Sequence, residues 1–390
     1  MSDFFRTIFT SFLFIILLFD VVYPSNFLML SIILIKIFSY LNLRSIELNT
    51  NYNKYFIIFL FLFLIVSLFH FQTLYRFTFS IEQINNYNFN LFLSLLTFLF
   101  LPFLYKKRKI IFEKSIDISL YLIVSFFFLQ ILVYYITGYY IDVLEDLRGE
   151  ASRFNTYSSL KIALDALGFD FIRPTSIFNE PGTYASFTTI LFMISWIKHR
   201  RILKIHILFF ISLFLSFSTF GVVLALLICV VLYIQYIKNS IFFSVKNFVF
   251  VIPILILIFS LGNLYYEARF LSDVSQSHGG LLIRKVTFES FLSNIIDNKV
   301  FGLSPGFNNL DKFFIEDSTL LFSVVLYYGL YAILIIYTIY KFFKKHMLPL
   351  LFVFIISLSK MPFDSFAFWF FIVGLNLVYF GNLDKTNYEA

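Results

Sequence analysis

The sequence predicts an all-α polytopic membrane protein of about twelve transmembrane helices, on three observations. First, 60% of its 390 residues are hydrophobic and 14% are charged, with a mean hydropathy of +0.86. Soluble domains run at roughly 45–50% and about 25%, and no soluble core of this length would absorb 59 phenylalanines. Second, apolar runs near span length follow one another along the chain, separated by short basic clusters. Third, two segments, 138–182 and 263–317, are too long and too polar to be turns. The chain reads as a single integral membrane domain over 1–390 carrying these two loops.

A spanning helix needs about 20 predominantly apolar residues. The expected spans centre on 4–20, 26–42, 55–71, 89–105, 116–137, 183–198, 202–218, 220–237, 246–262, 318–340, 346–360 and 363–381. Residues 202–237 as one helix would be about 54 Å long, against a hydrocarbon core of about 30 Å. That run must therefore be two helices, turning near Ser216-Phe-Ser-Thr-Phe-Gly221.

Orientation follows from the short basic loops. Lys106-Lys-Arg-Lys109 with Lys114, Lys198 with Arg200, Arg201 and Lys204, Lys238 with Lys246, and Lys341 with Lys344-Lys345 fall on one side. That side is expected to be cytoplasmic. Both termini are then cytoplasmic, and both long loops are extracytoplasmic. The first loop holds four Lys/Arg and seven Asp/Glu, the second five and seven. Helical patterns at Leu160, Ala163, Leu164 and Leu167, and at Val286, Phe288, Phe291, Leu292, Ile295 and Ile296, suggest small surface caps. No internal repeat, low-complexity tract or soluble domain stands out.

Several function classes drop away. The single cysteine, Cys229, allows no disulfide framework and no cysteine metal site. The net charge of +7 is spread over loop clusters, which mark topology and give no nucleic-acid surface. The first apolar run ends at Asp20 without a small-x-small site, so a cleavable signal peptide is not expected. There is no glycine-rich phosphate loop, no histidine pair at metal spacing and no nucleophile elbow. Nothing in the sequence calls for a metal or a cofactor.

The charged residues at extracytoplasmic span ends carry the candidate chemistry: Arg153, Arg173, Glu180, His278, Arg284, Glu316 and Asp317. The stretch Arg173-Pro-Thr-Ser-Ile-Phe-Asn-Glu-Pro-Gly-Thr-Tyr184 is central. Pro181 suits the first turn of a helix, where its missing N–H has no intrahelical partner anyway. An Arg and a Glu thus stand at the mouth of a buried span, where charge is expensive. The bland alternative is that the helix macrodipole favours Glu180 and that Arg173 pairs with it. Arginine's planar fork suits phosphate, so several Arg beside a lipid surface suggest a lipid-linked phosphate or pyrophosphate. His278, followed by Gly279-Gly280, is either a general base or a solvated loop histidine. Glycines and a proline in Val300-Phe-Gly-Leu-Ser-Pro-Gly-Phe307 either admit a ligand closely or shape a turn. Asp317 is a ligand or part of a helix cap, with Ser318 expected to cap. His199 and His206 read as part of the cytoplasmic rim.

Three segments, in this order, resemble the O-antigen polymerase (Wzy-type) branch of the O-antigen polymerase/O-antigen ligase superfamily. Arg173-Pro-Thr-Ser-Ile-Phe-Asn-Glu-Pro-Gly182 is similar to that family's Arg-x-x-Gly-x-Phe-x-Glu-Pro segment before a span. Ser216-Phe-Ser-Thr-Phe-Gly-Val222 resembles its Ser-rich turn before a Gly. The third segment runs from Arg284 through Gly302-Leu-Ser-Pro-Gly306 to Asp317-Ser-Thr-Leu320 and Tyr328-Gly-Leu330. Thr175-Ser176 stand where the family often has Gly, and Thr219 where many members place an Arg. The resemblance covers about residues 170–335 and implies a GT-C-like architecture in the bacterial cytoplasmic (inner) membrane. It implies a glycosyltransferase that polymerises undecaprenyl-pyrophosphate-linked oligosaccharide repeat units into O-antigen or capsule-type polysaccharide. Arg173 and Arg284, with Arg153 and Asp317, would bind pyrophosphate or sugar, while Glu180 or His278 would orient or deprotonate the acceptor hydroxyl. The implied partners are the lipid-linked oligosaccharide, the bilayer and a polysaccharide chain-length regulator. The alternatives are a ligase that transfers polysaccharide to lipid A-core and, in another class, a flippase for the lipid-linked unit. Polar sites grouped in two unequal loops favour an enzyme over a transporter.

Overall fold

The computed structural model describes residues 3–18, 50–74, 81–141, 161–164, 169–178, 180–239, 319–343, 346–359 and 361–388. Their regular structure is helical apart from one hairpin. In chain order the elements are α1 (Asp3–Leu18), α2 (Thr50–Leu74), α3 (Ile81–Leu95), α4 (Thr97–Thr137), β1 (Lys161–Leu164) and β2 (Phe169–Ile172). There follow α5 (Pro181–His199), α6 (Lys204–Leu215), α7 (Thr219–Asn239), α8 (Leu320–Tyr328), α9 (Tyr331–Phe342), α10 (Met347–Ser357) and α11 (Phe366–Tyr388). Among the described residues one helical run, Tyr87–Thr137, is by length and composition long and apolar enough to cross a membrane, and several apolar helices are shorter. The expected spans 26–42 and 246–262 and the second long loop lie outside the described residues.

Two expected turns are present. α4 breaks at Arg108 (φ −142°, ψ 45°), so its two limbs correspond to the expected helices 89–105 and 116–137. The break falls inside the basic cluster 106–109. α6 and α7 are separate helices joined through Ser216-Phe217-Ser218, as the length of the apolar run requires. The expected span 318–340 is interrupted: α8 ends at Gly329 (φ 52°), and α9 starts two residues later.

One expectation about the first long loop is overturned. Residues 161–164 and 169–172 are strands and not helix. β1 and β2 pair antiparallel, Lys161 opposite Ile172 and Leu164 opposite Phe169. Ile162 and Leu164, then Phe169 and Phe171, alternate with polar or small residues. Period two with a Gly-containing four-residue connection is a hairpin signal that outweighs the i, i+3, i+4 pattern.

Contacts fix the helix directions. Ser115 Oγ donates to Thr7 O at 3.1 Å and Ser119 Oγ to Ser11 O at 3.0 Å, so α1 runs parallel to the second limb of α4. Their seam is built of small hydroxyl residues, which let two helices approach closely. α5 runs antiparallel to that limb: Asp117 meets Ser195, and the Phe127 ring stacks on Tyr184 at 4.7 Å. α11 runs parallel to α5, with Gly374 against Ile194 and Asn382 Nδ2 donating to Ile197 O at 3.2 Å. The first limb of α4 lies along α11 from Phe98 on Trp369 to Tyr105 over Gly381. A Cβ at Gly381 would run into the Tyr105 hydroxyl, so any larger residue there has to push that side chain aside.

The bundle therefore has two ends. One collects Lys54, Lys109, Lys198, Arg200 and the C-terminal part of α11. The other collects the C-terminus of α4, residues 173–181, the turn after α6 and the start of α11. The basic loops 106–109 and 198–201 share one end, and Arg173 and Glu180 stand at the opposite one.

Candidate functional site

Arg173 leaves the end of β2 and enters a tight turn in which Phe178 N donates to Thr175 O at 3.0 Å. Within it Ser176 takes a left-handed conformation (φ 55°), which is uncommon for a residue with a side chain. Gln130, in the last turns of α4 and fully buried, holds that conformation. Its Oε1 accepts from Thr175 N at 3.2 Å and Ser176 N at 2.7 Å, and its Nε2 donates to Ser176 O at 2.8 Å and Ile141 O at 2.9 Å. Two backbone donors face one side of the amide, which fixes its orientation. Ser176 Oγ adds a bond to Ile123 O at 2.7 Å, and the Tyr140 hydroxyl meets Thr175 Oγ1 at 2.9 Å. The position where the resembling family often carries Gly is thus one where the backbone takes a glycine-like conformation.

The Arg173 side chain is 8% exposed, and its Nη2 donates to the Phe217 carbonyl at 3.2 Å. Phe217 is itself left-handed (φ 45°) in the turn between α6 and α7. For a bulky residue this is strain, and the turn supplies the restraints. Ser216 Oγ donates to Leu213 O at 2.7 Å, Phe217 N reaches Phe214 O at 3.1 Å, and Gly221 N reaches Ser218 Oγ at 3.3 Å. A Cβ at Gly221 would lie 3.0 Å from Leu213 O, 3.0 Å from Ser216 Oγ and 3.4 Å from Ala185 Cβ. Glycine lets α7 press against α5 beside the turn. The first two sequence segments thus form one constellation, joined through the Arg173 guanidinium.

Glu180 is the N-cap of α5, extended at φ −136° and ψ 148°, with Pro181 in the first helical turn as expected. Its backbone carbonyl accepts from Tyr184 N at 3.0 Å, but its carboxylate makes no capping bond. Asp364 lies at the same end, its carbonyl accepting from Ser94 Oγ at 2.6 Å, and the Tyr328 hydroxyl donates to that of Tyr87 at 2.9 Å. Of the expected site residues the structure places Arg173 and Glu180; Arg153, His278, Arg284 and Asp317 lie outside the described residues, as does Ser318. The cap of α8 is Thr319, whose Oγ1 accepts from Phe322 N at 3.4 Å.

The opposite end holds a second polar cluster. Asp117 Oδ1 accepts from Ser195 Oγ at 2.6 Å, and Oδ2 meets Lys198 Nζ and, at 2.9 Å, His199 Nε2. Ser195 Oγ also lies 3.0 Å from His206 Nε2. His206 lies at this basic end, where the rim was expected, and is completely buried there. The helix it caps turns its ring inward: Leu203 N donates to His206 Nδ1 at 3.2 Å. Among the described residues no group of three or more His, Cys, Asp or Glu could hold a metal ion.

Sequence reasoning missed Gln130, Tyr140 and the Phe217 carbonyl. Gln130 was findable, because a lone amide in the apolar run 116–137 must meet polar partners when buried. A carbonyl aimed by a turn has no residue-type signal. Comparisons of the chain with family models, with curated proteins and with solved structures each find no match.

Proposed function

We propose that this chain is a multi-pass membrane glycosyltransferase that polymerises undecaprenyl-pyrophosphate-linked oligosaccharide units on the extracytoplasmic side of the bacterial cytoplasmic membrane. Its outer surface supports the membrane setting: Phe4, Phe5, Phe9, Ile57, Leu68 and Ile333 are among many large apolar side chains that point outward. A water-soluble monomer rarely exposes so much contiguous apolar surface. With about twelve spans, the basic end of the bundle is the cytoplasmic one.

The observation that carries the activity is the constellation at the other end. A nearly buried guanidinium held on a strained serine-rich turn, and a helix-mouth carboxylate, stand at that end, drawn from two of the three segments that resemble the polymerases. In the proposed reaction an acceptor hydroxyl oxygen on the incoming unit attacks the anomeric carbon of the growing chain. The C–O bond to pyrophosphate breaks as the new glycosidic bond forms. The hydroxyl proton passes to a base, for which Glu180 is the described candidate. Undecaprenyl pyrophosphate departs with the bonding electrons, and arginine donors offset the charge developing on it. No nucleotide is needed, because the donor is already activated.

A strain lacking the protein tests this. Loss of polymer with a surface glycan of one repeat unit is the expected result. A wholly unmodified lipid A-core refutes it and points to the ligase or flippase alternative, which are told apart by the leaflet where the lipid-linked unit accumulates.

A further inference from the structure

We infer that Gln130 is a positioning residue for pyrophosphate binding, acting through the turn that carries Arg173; this rests on the function proposed above. The Gln130 side chain behaves as a substitute peptide unit. It pairs with both the N–H and the C=O of Ser176, takes Thr175 N as a third partner, and ties all three to Ile141 O. Each of its two donor hydrogens and two acceptor sites is then used, so no alternative orientation competes.

The conformation it fixes is one that serine does not adopt by preference. Ser176 at φ 55° lies in the left-handed region, which the Cβ of a non-glycine residue disfavours. Without the clamp, residues 175–176 would relax toward ordinary dihedrals. Arg173 precedes the turn by two residues and reaches across to Phe217 O, so the relaxation swings its guanidinium away from that carbonyl. A displacement of about 1 Å in a binding group can reduce function by about 100-fold. Gln130 itself lies behind the turn, and none of its four polar contacts is left for a substrate.

The test uses the full chain in detergent micelles, titrated with undecaprenyl pyrophosphate. Gln130→Ala is expected to elute as folded, monodisperse protein and to bind roughly 10- to 100-fold more weakly than the wild type. Adding Ser176→Gly should restore most of the affinity, because glycine takes the left-handed conformation without a clamp. A purely structural role for Gln130 would not be rescued in this way, so absence of rescue overturns the inference. Gln130→Glu keeps both accepted bonds and loses both donated ones, and it serves if the alanine variant does not accumulate. Weakened binding by that variant supports the inference, and unchanged binding overturns it. Arg173→Ala separates the two levels. If it loses binding while Gln130→Ala binds as the wild type does, only the positioning role is wrong. If the wild type does not bind, or Arg173→Ala binds equally well, the proposed function falls and the positioning role with it.

Discussion

Replacing Asp117 tests whether the polar cluster at the basic end is the ionic lock of the bundle. Lys198 and Asp117 side chains are 15% and 17% exposed, so neither charge is well solvated. The bond directions can be worked out. Leu203 N–H donates to His206 Nδ1, so Nε2 carries the ring hydrogen and donates to Ser195 Oγ, and the Ser195 hydroxyl donates to Asp117. Asp117→Asn removes the anion from Lys198, and an uncompensated buried charge typically costs about 3–5 kcal/mol. Ser195→Ala strands one acceptor and one donor, for about 1–3 kcal/mol. The double variant Asp117→Asn/Lys198→Met leaves no stranded charge, so it should be destabilised by less than the single Asp117→Asn. Thermal unfolding in detergent, followed by the fluorescence of Trp196 and Trp369, reads all three; Trp196 adjoins Ser195. A loss for Asp117→Asn no larger than for Ser195→Ala would refute the reasoning. Ser195 lies fifteen residues from Glu180, about 22 Å along the helix, so Ser195→Ala should leave polymer length unchanged at equal protein level.

Arg173→Ala and Arg284→Ala should each abolish polymer without lowering membrane protein, and Lys should rescue poorly for want of a bidentate fork; equal activity with Lys at both positions would refute pyrophosphate binding. Reporter fusions at Lys107, Arg200, Asn239 and Lys344 should read cytoplasmic and those at Ser158 and Gln276 extracytoplasmic, and a cytoplasmic signal at either of the last two overturns the topology. Glu180→Gln separates a helix-end charge, worth roughly 0.3–1 kcal/mol, from an acid/base group worth about 10²–10⁴ in rate. A ladder collapsed to one or a few repeats at normal protein level is expected, and a near-normal ladder returns Glu180 to the first role. Gly221→Ala places a methyl group 3.0 Å from Leu213 O and Ser216 Oγ, so a lowered thermal midpoint, about 1–3 kcal/mol by overpacking, should accompany shortened polymer.

Three helix ends were legible because apolar run length and basic punctuation are one-dimensional signals, whereas the interruption at Gly329 was not. The break near Lys106–Lys109, the turn after α6 and Pro181 at the head of α5 all follow from them. The hairpin at 161–172 was not, because in so short a segment Leu164 and Leu167 fit a helical stripe as well as a strand face, and only pairing with Phe169–Ile172 decides. Arg173 and Glu180 were legible as costly charges at a span mouth. What holds Arg173 was only half so. Gln130 could be suspected, but its partner is the backbone of a turn 46 residues away, and sequence separation of that kind leaves no periodic trace. His206 was legible as part of the basic end, but its burial was not, because the bond from Leu203 N and the hydroxyl of Ser195 that draw its ring inward leave no trace in residue type.

The central position of α5 links these points. Every residue from Tyr184 to Ile197 is buried, so the helix has no outward face. Such a helix is apolar on all sides because all sides are packed. Thr188 Oγ1 donates to Tyr184 O at 2.6 Å within the helix, Ser195 Oγ reaches Asp117 on a neighbouring helix, and Thr189 Oγ1 is buried without a hydrogen-bond partner among the described residues. Gly182 sits against Ser218 and Phe220 at one end, and Asn382 ties Ile197 at the other. A rod held at both ends and along its length cannot tilt without repacking its neighbours. Glu180, fixed to its first turn through the Tyr184 amide, therefore keeps its place relative to the Arg173–Phe217 contact before any substrate arrives. The glycosyl transfer proposed above would draw on such preorganisation, since it aligns two large substrates by positioning. The Asp117–Lys198 pair lies at the far end of this rod, more than about 20 Å along the helix from Glu180.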